Sequence, residues 1–320
     1  PCVRIEWRCW MESLGLLAGY KGRGFGNQVQ KVILLMTMTA RRIVATSCFL
    51  LFVSVLLTAQ SDRYTRPFPG HRVVGNLYAV GTYDLGVFLV TSSEGHILIN
   101  TGVDSSVGPI RSNIESLGFQ MADVKILLTM QAHWDHTAAL AEIKELIGAE
   151  MWATAGDARV LEDGGVSDPH FGGEESFKPV KVDKIIDDGE VIALGKTRLT
   201  VLETPGHTEG SSSYLMEVRE GGRDYSVAIA NMATINPGKK LVVEATYAGV
   251  AEDFAETFRK QKALDIDVWV AAHGPQYNLH DKFEAGQAYD PDTFVDPDGF
   301  LAEVERLERL YFEQIEAERK

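Results

Sequence analysis

The sequence predicts an α+β protein whose globular part, residues 60–320, is one domain of about 260 residues. Short runs of β-branched and aromatic residues are separated by turn residues, which indicates antiparallel strands. Longer segments repeat apolar residues every three or four positions, which indicates amphipathic helices. No interdomain linker or short-period repeat interrupts this alternation in the sequence, so we expect a single core.

The first half is predicted to be an antiparallel meander followed by a helix, a buried strand and a second helix. Gly75-Asn76 and Glu94-Gly95 are predicted hairpin turns between the first β-rich runs. The strands are predicted over 72–80, 86–91, 96–99 and 124–129, and the first helix over 105–117. The second helix ends at Gly148 and presents one apolar face, formed by Leu140, Ile143, Leu146 and Ile147.

The second half is predicted to contain four more strands and two more helices. One helix carries Phe254 and Phe258 on the same face, four residues apart. The last helix runs from about Pro297 to Ala317, with Asp296 as its N-cap. The strands are predicted over 198–203, 212–218, 225–230 and 268–272, and the inward residues of the last helix are Leu301, Val304, Tyr311 and Ile315.

The N-terminal region is predicted to be a targeting segment rather than part of the fold. After Met38, the basic pair Arg41-Arg42 precedes an apolar run over 43–57, and small Ala59 follows. This pattern predicts a signal peptide over 38–59 that is cleaved near Ala59, and a periplasmic or secreted protein. Because the run has only 15 residues, it is too short to span a membrane comfortably as a helix, so an uncleaved anchor is the less favoured alternative. After cleavage, no membrane association is expected. Residues 1–37 are interpreted as translated upstream sequence or a disordered extension.

Cysteine usage and charge exclude several classes of function. All three cysteines lie in the first 60 residues, so the globular part has neither a disulfide nor a cysteine metal ligand. Of 31 basic and 45 acidic side chains, 24 and 43 lie in residues 61–320. So acidic a domain is not expected to bind nucleic acid or anionic lipid by general electrostatics.

Histidines and one aspartate stand where predicted strands end in turns. The loop Gln131-Ala132-His133-Trp134-Asp135-His136 directly follows the buried strand 124–129. His207 lies in a turn marked by Pro205 and Gly206, and His273 follows the last strand. Neutral imidazole and carboxylate are zinc ligands, and a loop with such side chains at nearby positions can direct several of them to one point. The sequence therefore predicts a zinc site built from strand ends.

These motifs resemble the metallo-β-lactamase superfamily, over roughly residues 70–320. The resemblance rests on His-x-Asp-His after a buried strand, on Pro-Gly-His-Thr, and on a histidine after a late strand. It implies the four-layer αβ/βα sandwich, with two sheets face to face and helices outside. It also implies one or two zinc ions, held in two positions: Gln131, His133 and His207 at one, and Asp135, His136 and His273 at the other.

Two absences narrow the resemblance to subclass B3. Glyoxalase II, lactonase and tRNA-processing members bridge their metals with an aspartate in the region that here reads Ala230-Asn231-Met232-Ala233, but no carboxylate occurs between Asp224 and Glu244. The first two β-lactamase subclasses place a cysteine there, which this sequence also lacks. Gln131 together with Met232 resembles the GOB-type branch of subclass B3.

The implied activity is hydrolysis of penicillins, cephalosporins and carbapenems by a hydroxide that zinc generates from water, which would confer antibiotic resistance. Asp135 is the expected catalytic residue, and Thr234 and Met232 are the expected substrate contacts. The preferred zinc position is the one with Asp135, because a carboxylate offsets the charge of the cation and the amide of Gln131 does not. Tyr83, Trp134 and Phe171 are further candidates for apolar walls of the site.

Two other functions remain open at this level. One is another secreted metallohydrolase, such as a lactonase, and the other is a catalytically silent zinc-binding homologue, since Gln131 weakens one position. Four histidines fall outside the motif. His71 and His96 are predicted to be solvated, His170 to lie on a glycine-rich loop beside the site, and His280 to have a supporting or surface role.

Overall fold

Two β-sheets packed face to face form the centre of the protein in a computed structural model, which describes residues 63–320. The predicted extension over 1–37 and the predicted signal peptide over 38–59 lie outside these described residues. Helices cover the outer faces of both sheets, so the predicted αβ/βα sandwich is confirmed. No helix among the described residues is long and apolar enough to cross a membrane.

The first sheet contains seven strands in sequence order, β1 to β7. Its first four strands pair antiparallel, as the predicted meander requires, and the remaining pairs are parallel. The strands are β1 His71–Val74, β2 Leu77–Ala79, β3 Phe88–Ser92, β4 Gly95–Ile99, β5 Val124–Leu128, β6 Glu150–Ala153 and β7 Lys184–Ile185.

The second sheet contains five strands in the order β12-β11-β10-β9-β8. Its strands are β8 Val191–Leu194, β9 Thr197–Glu203, β10 Ser212–Glu220, β11 Arg223–Ala230 and β12 Val268–Ala271. Only β11 and β12 pair in parallel, with Ala230 opposite Ala271. Because these two strands end side by side, the residues that follow them leave the sheet at the same edge.

Successive side chains of a strand point to opposite faces of the sheet, and so they contribute to two different hydrophobic layers. In β4, Ile97 and Ile99 belong to the core between the sheets, whereas Leu98 belongs to the core beneath the outer helices. All three side chains are fully buried, and each such burial stabilises the fold by about 1.5–3 kcal/mol. Phe254 and Tyr311 pack together on the outer side of the second sheet, with ring centroids 6.1 Å apart.

Within the part of the chain that the structure describes, seven α-helices with defined bounds connect and cover the sheets. The side chain of Asp296 accepts a hydrogen bond from the backbone amide of Gly299 (3.0 Å), which confirms the predicted N-cap of the last helix. The helices are α1 Val107–Ser116, α2 Trp134–Thr137, α3 Leu140–Ile147, α4 Ala155–Asp163, α5 Val250–Lys262, α6 Leu279–Lys282 and α7 Pro297–Glu318. Short 3₁₀ turns occupy Asp104–Ser106, Met121–Asp123 and Gly274–Tyr277.

Some expectations for single side chains were wrong. Leu301 was predicted to face inward but is 42% exposed, and Leu146, on the predicted apolar face of the second helix, is 50% exposed. In α7 the buried stripe starts at Phe300, one residue before Leu301, and therefore turns Leu301 by about 100° out of the core. The buried residues of this stripe are Phe300, Val304, Leu307, Tyr311 and Ile315.

His71 and His96 are buried, so the prediction that they are solvated was wrong. The ring of His71 stacks on Phe283 at 4.1 Å between centroids, and that of His96 meets Phe119 edge to face at 5.3 Å. A neutral imidazole packs as an aromatic ring, which the neighbouring glycines in the sequence do not reveal. The sequence also left β6, β7, β8 and α4 without a prediction.

Candidate metal centre

Asn100 fixes the loop that leaves β5. It has a left-handed backbone (φ 63°) and is fully buried. Its Oδ1 accepts the amide of Met130 (2.9 Å), and its Nδ2 donates to the carbonyl of Gly86 (3.0 Å). The hydroxyl of Tyr214 donates to the carbonyl of Thr129 (2.8 Å). The start of the predicted metal loop is therefore tied to both sheets.

The loop then divides its side chains between two directions. His133 is extended (φ −96°, ψ 153°) and immediately precedes α2, whose first turn carries Asp135 and His136. Thr137 Oγ1 donates to the carbonyl of His133 (2.7 Å) and closes this turn. Because the backbone changes from extended to helical within three residues, His133 points toward His207, whereas Asp135 and His136 point toward His273.

Asp135, His136 and His273 form a candidate metal-binding group, with one ligand atom from each lying within 4.8 Å of the others. The Nε2 atoms of His136 and His273 are 3.2 Å apart, and Asp135 Oδ2 lies 3.4 Å from each of them. Two imidazoles and one carboxylate that converge in this way match a catalytic zinc site, which leaves a fourth position for water.

The protonation states of His136 and Asp135 suit a cation. Burial lowers the pKa of His136 to about 4, so its ring is neutral at pH 7 and offers a lone pair. Burial alone would raise the pKa of Asp135, but the nearby His136 and His273 outweigh it and lower that pKa, so Asp135 is a carboxylate. For His273, burial opposes protonation, yet hydrogen bonding to Asp84 and the charge of Asp135 raise the pKa.

His133 and His207 converge on a second point. His133 Nδ1 lies 3.1 Å from His207 Nε2. His207 Nδ1 lies 2.7 Å from the carbonyl oxygen of Thr234, which fixes the proton on Nδ1 and leaves Nε2 as the acceptor. Burial holds the pKa of His207 well below its usual value. Gln131 is 3% exposed, and its Oε1 has no hydrogen-bond partner among the described residues.

A buried oxygen without a partner costs roughly 1–3 kcal/mol, so Gln131 Oε1 is a group that a cation would stabilise. The donors of both sets thus fit zinc, with a carboxylate and two imidazoles in one and an amide and two imidazoles in the other. Gln131 as a zinc ligand stays a prediction, as do the other individual ligand assignments.

Buried side chains fix the turn that carries His207. Gly206 has φ 125°, and a Cβ there would lie 2.8 Å from the ring of Phe254, so only glycine fits. Lys239 Nζ, almost fully buried, donates to the carbonyls of Gly206 (3.1 Å) and His207 (2.7 Å). Burial lowers the pKa of Lys239 to about 8. Asp157 anchors the far side of the turn by accepting the amide of Gly210 (2.9 Å).

The predicted substrate contacts lie in different surroundings. Thr234 is half-buried, with Oγ1 3.0 Å from His207 Nδ1, whereas Met232 is 1% exposed and packs in the central core. His280 is outside the candidate metal group and stacks on Tyr83 at 3.7 Å between centroids, consistent with its predicted supporting role. Phe171 packs edge-on against His133, and Trp134 packs on the core under the first sheet.

Two carboxylates beside the candidate ligands escaped the sequence prediction. Asp84 Oδ1 lies 3.0 Å from His273 Nδ1, and Asp168 Oδ2 lies 3.4 Å from His133 Nε2. Burial would raise the pKa of Asp168, but the nearby His133 and hydrogen bonds from two backbone amides lower it to about 2. Asp84 carries no sequence signal, while Asp168 stands two residues before His170 in the glycine-rich loop that the sequence did point to.

Comparisons with known proteins agree with this geometry. Residues 87–220 match the family described as the Metallo-beta-lactamase superfamily. The chain is 43% identical to the class B3 di-zinc metallo-beta-lactamase LRA-12 from an Alaskan soil metagenome, with a TM-score of 0.77, covering 79% of this chain and 96% of that one. It is 41% identical to the metallo-beta-lactamase GOB-18 from Elizabethkingia meningoseptica, with a TM-score of 0.78, covering 80% and 95%.

A curated relative carries a different name. A hydroxyacylglutathione hydrolase from Rhodospirillum rubrum is 31% identical over 113 residues, which are 35% of this chain and 36% of that protein. The chain thus spans little more than a third of the length of this relative. Similarity of this extent covers about a third of each protein, and not the whole of either.

Proposed function

The chain belongs to the metallo-beta-lactamase superfamily, and we propose that it is a zinc-dependent hydrolase that opens the β-lactam ring of antibiotics. The observation that carries this proposal is the convergence of Asp135, His136 and His273, beside a second pair of facing imidazoles. Similarity to class B3 metallo-beta-lactamases over 95% or more of their chains supports the same substrate class.

The end of β11 favours β-lactam over thioester or lactone substrates. After Ala230 the chain continues with Asn231 and Met232, and neither residue supplies the carboxylate with which the glyoxalase II and lactonase branches bridge two metals. The backbone of Asn231 is held by the fold, because its backbone amide donates to Ser213 Oγ (2.9 Å) and its backbone carbonyl accepts from the side chain of Gln261 (2.9 Å). Asp135 is therefore the one carboxylate in the two predicted ligand sets, which otherwise consist of imidazoles and the amide of Gln131.

Hydrolysis adds one water to the ring: the water oxygen bonds to the lactam carbonyl carbon, the carbon–nitrogen bond breaks, and the nitrogen takes a proton. Bound zinc would make hydroxide available near pH 7 and polarise the carbonyl. In our proposal the carboxylate of Asp135 orients the water and carries its proton to the leaving nitrogen. Thr234, half-buried beside His207, is the proposed contact for the substrate carboxylate.

We further propose that the enzyme belongs with the GOB-type branch, exported to the periplasm. Gln131 replaces one imidazole of the second set, Met232 follows β11, and the chain is 41% identical to GOB-18. If the protein is exported and hydrolyses β-lactams, its expression in a susceptible host should raise the inhibitory concentration of these antibiotics.

A second candidate is hydrolysis of a hydroxyacylglutathione thioester, which the similarity to the Rhodospirillum rubrum relative favours. The deciding experiment compares zinc-loaded protein on a chromogenic cephalosporin, S-lactoylglutathione and an acyl-homoserine lactone. We expect turnover of the cephalosporin alone, abolished in Asp135→Asn. Preference for the thioester or the lactone would replace the proposal, and zinc binding without any turnover would identify a silent homologue.

A further inference from the structure

The 164–173 segment carries an acidic side chain into the metal centre. Four glycines of this segment, Gly164, Gly165, Gly172 and Gly173, have positive φ angles. Between them Asp168 is only 6% exposed, although the residues on either side of it are half-buried or exposed. A buried charge on such a loop needs partners that stabilise it.

Asp168 uses its two oxygens for two different partners. Oδ1 accepts the backbone amides of His170 (2.8 Å) and Phe171 (2.6 Å), which fixes the turn of the segment itself. Oδ2 lies 3.4 Å from Nε2 of His133. The opposite nitrogen of that ring, Nδ1, is the one that faces His207. One carboxylate therefore connects the segment to the imidazole.

The contact between Asp168 and His133 lies beside the predicted ligand set that has no carboxylate, namely Gln131, His133 and His207. Asp135 supplies a carboxylate to its own set, whereas Gln131 supplies a neutral amide. His133 Nε2 is buried and has no hydrogen-bond partner among the described residues, so no other group competes with the Asp168 carboxylate 3.4 Å away. A carboxylate behind a histidine ligand orients its ring, selects the tautomer with the lone pair on the metal side, and strengthens it as a donor.

We propose that Asp168 is a positioning residue that holds Nδ1 of His133 toward the Gln131, His133 and His207 position and thereby compensates for the neutral Gln131. The proposal rests on the zinc positions of the proposed function, but not on the identity of the substrate. It also links metal binding at that position to the order of the 164–173 segment, because the same carboxylate holds both.

The test is a Zn²⁺ titration of metal-free protein in competition with a chromophoric chelator. Asp168→Asn keeps an oxygen for the backbone amides but removes the negative charge, and should weaken the second zinc equivalent by about 10–100-fold. The first equivalent should change by less than about threefold, since its donors lie elsewhere. Gln131→His in the Asp168→Asn background should restore the second equivalent.

Asp163→Asn is the matched control. Asp163 Oδ1 holds the same segment by accepting the amide of Ser167 (3.1 Å), but no contact joins it to His133 among the described residues. This variant should shift the second zinc equivalent by less than about threefold. If Asp163→Asn weakens it as much as Asp168→Asn, or if neither variant does, the proposal is wrong.

A measurement on the unaltered protein covers the case in which Asp168→Asn does not fold. The second zinc equivalent should slow backbone hydrogen exchange in the 164–173 segment, and unchanged exchange would overturn the proposal. Neither readout uses a substrate. Protein that binds zinc as expected but hydrolyses no β-lactam would therefore refute the proposed function and leave the role of Asp168 standing.

Discussion

Asp84 Oδ1 lies 3.0 Å from Nδ1 of His273, on the side of the ring opposite the candidate metal group. The other oxygen of Asp84 pairs with Arg63 (2.7 Å), and its backbone carbonyl accepts the amide of Gly274. Asp84 is 4% exposed, so its carboxylate is stabilised by these partners rather than by water. His273 thus presents Nε2 toward Asp135 and His136 because Asp84 holds Nδ1.

We predict that Asp84→Ala lowers zinc affinity and β-lactam turnover by about 10–100-fold, because His273 loses the group that orients its ring. Zinc titration and steady-state kinetics measure the effect. Arg63→Gln is the control, since it removes the half-exposed ion pair and keeps the contact to His273; it should change either quantity by less than about fivefold. Equal losses in the two variants would contradict the prediction.

The two zinc positions should be unequal. We expect about one zinc per chain with substantial activity at limiting metal, because Asp135 supplies a charge that Gln131 does not. Asp135→Asn or His273→Ala should remove nearly all turnover, Gln131→Ala should cost much less, and Gln131→His should fill the weaker position more readily. The paired measurements are zinc content and turnover. A loss in Gln131→Ala as large as that in Asp135→Asn would contradict the asymmetry.

Inhibition should distinguish metal from serine chemistry. A zinc chelator should abolish β-lactam hydrolysis, and added zinc should restore it, whereas clavulanate should have no effect. The reason is that residues 60–320 contain no Ser-x-x-Lys motif that would supply an acylated serine. The measurement is the residual rate of β-lactam hydrolysis after treatment with chelator, with chelator followed by zinc, and with clavulanate. Progressive inactivation by clavulanate with full activity in chelator would refute the metal mechanism.

Burial of His71 should make stability pH-dependent. Burial lowers its pKa to about 4, below the value near 6.5 of an unfolded chain, so the unfolded state takes up the proton first as the pH falls. Neutral His71 therefore contributes fully to the free energy of unfolding above pH 6.5, and this contribution is lost as the pH falls from 6.5 to 4. At pH 5 the free energy of unfolding should be lower by about 2 kcal/mol. Denaturant unfolding of wild type and His71→Phe at pH 7 and 5 tests this. Parallel losses in both proteins would contradict it.

Export predicts a defined mature N-terminus. Cleavage near Ala59 should follow from the Arg41-Arg42 pair and the apolar run over 43–57. Intact mass of the protein recovered from the periplasm measures the site. A mature chain that begins upstream of Met38 would contradict a signal peptide over 38–59.

The sequence by itself determined the elements that local patterns encode. The run Val124–Leu128 favours a buried strand and Pro205-Gly206 before His207 favours a tight turn, and both were predicted correctly. The ligand types were predicted because several histidines and one aspartate follow strand ends together, and imidazole and carboxylate are zinc ligands. The meander and the N-cap at Asp296 are likewise properties of neighbouring residues.

Only the tertiary structure decided which groups stand behind those ligands. Asp84 and His273 are 189 residues apart, and Asp168 and His133 are 35 apart, so no local pattern relates either pair. No local pattern predicts the burial of His71 either, because the ring that covers it belongs to Phe283, which is distant in sequence. Patterns within a few residues of sequence determine the backbone conformation and the types of candidate ligand. Burial, charge pairing and ring orientation depend instead on sheets and helices that come into contact only after folding.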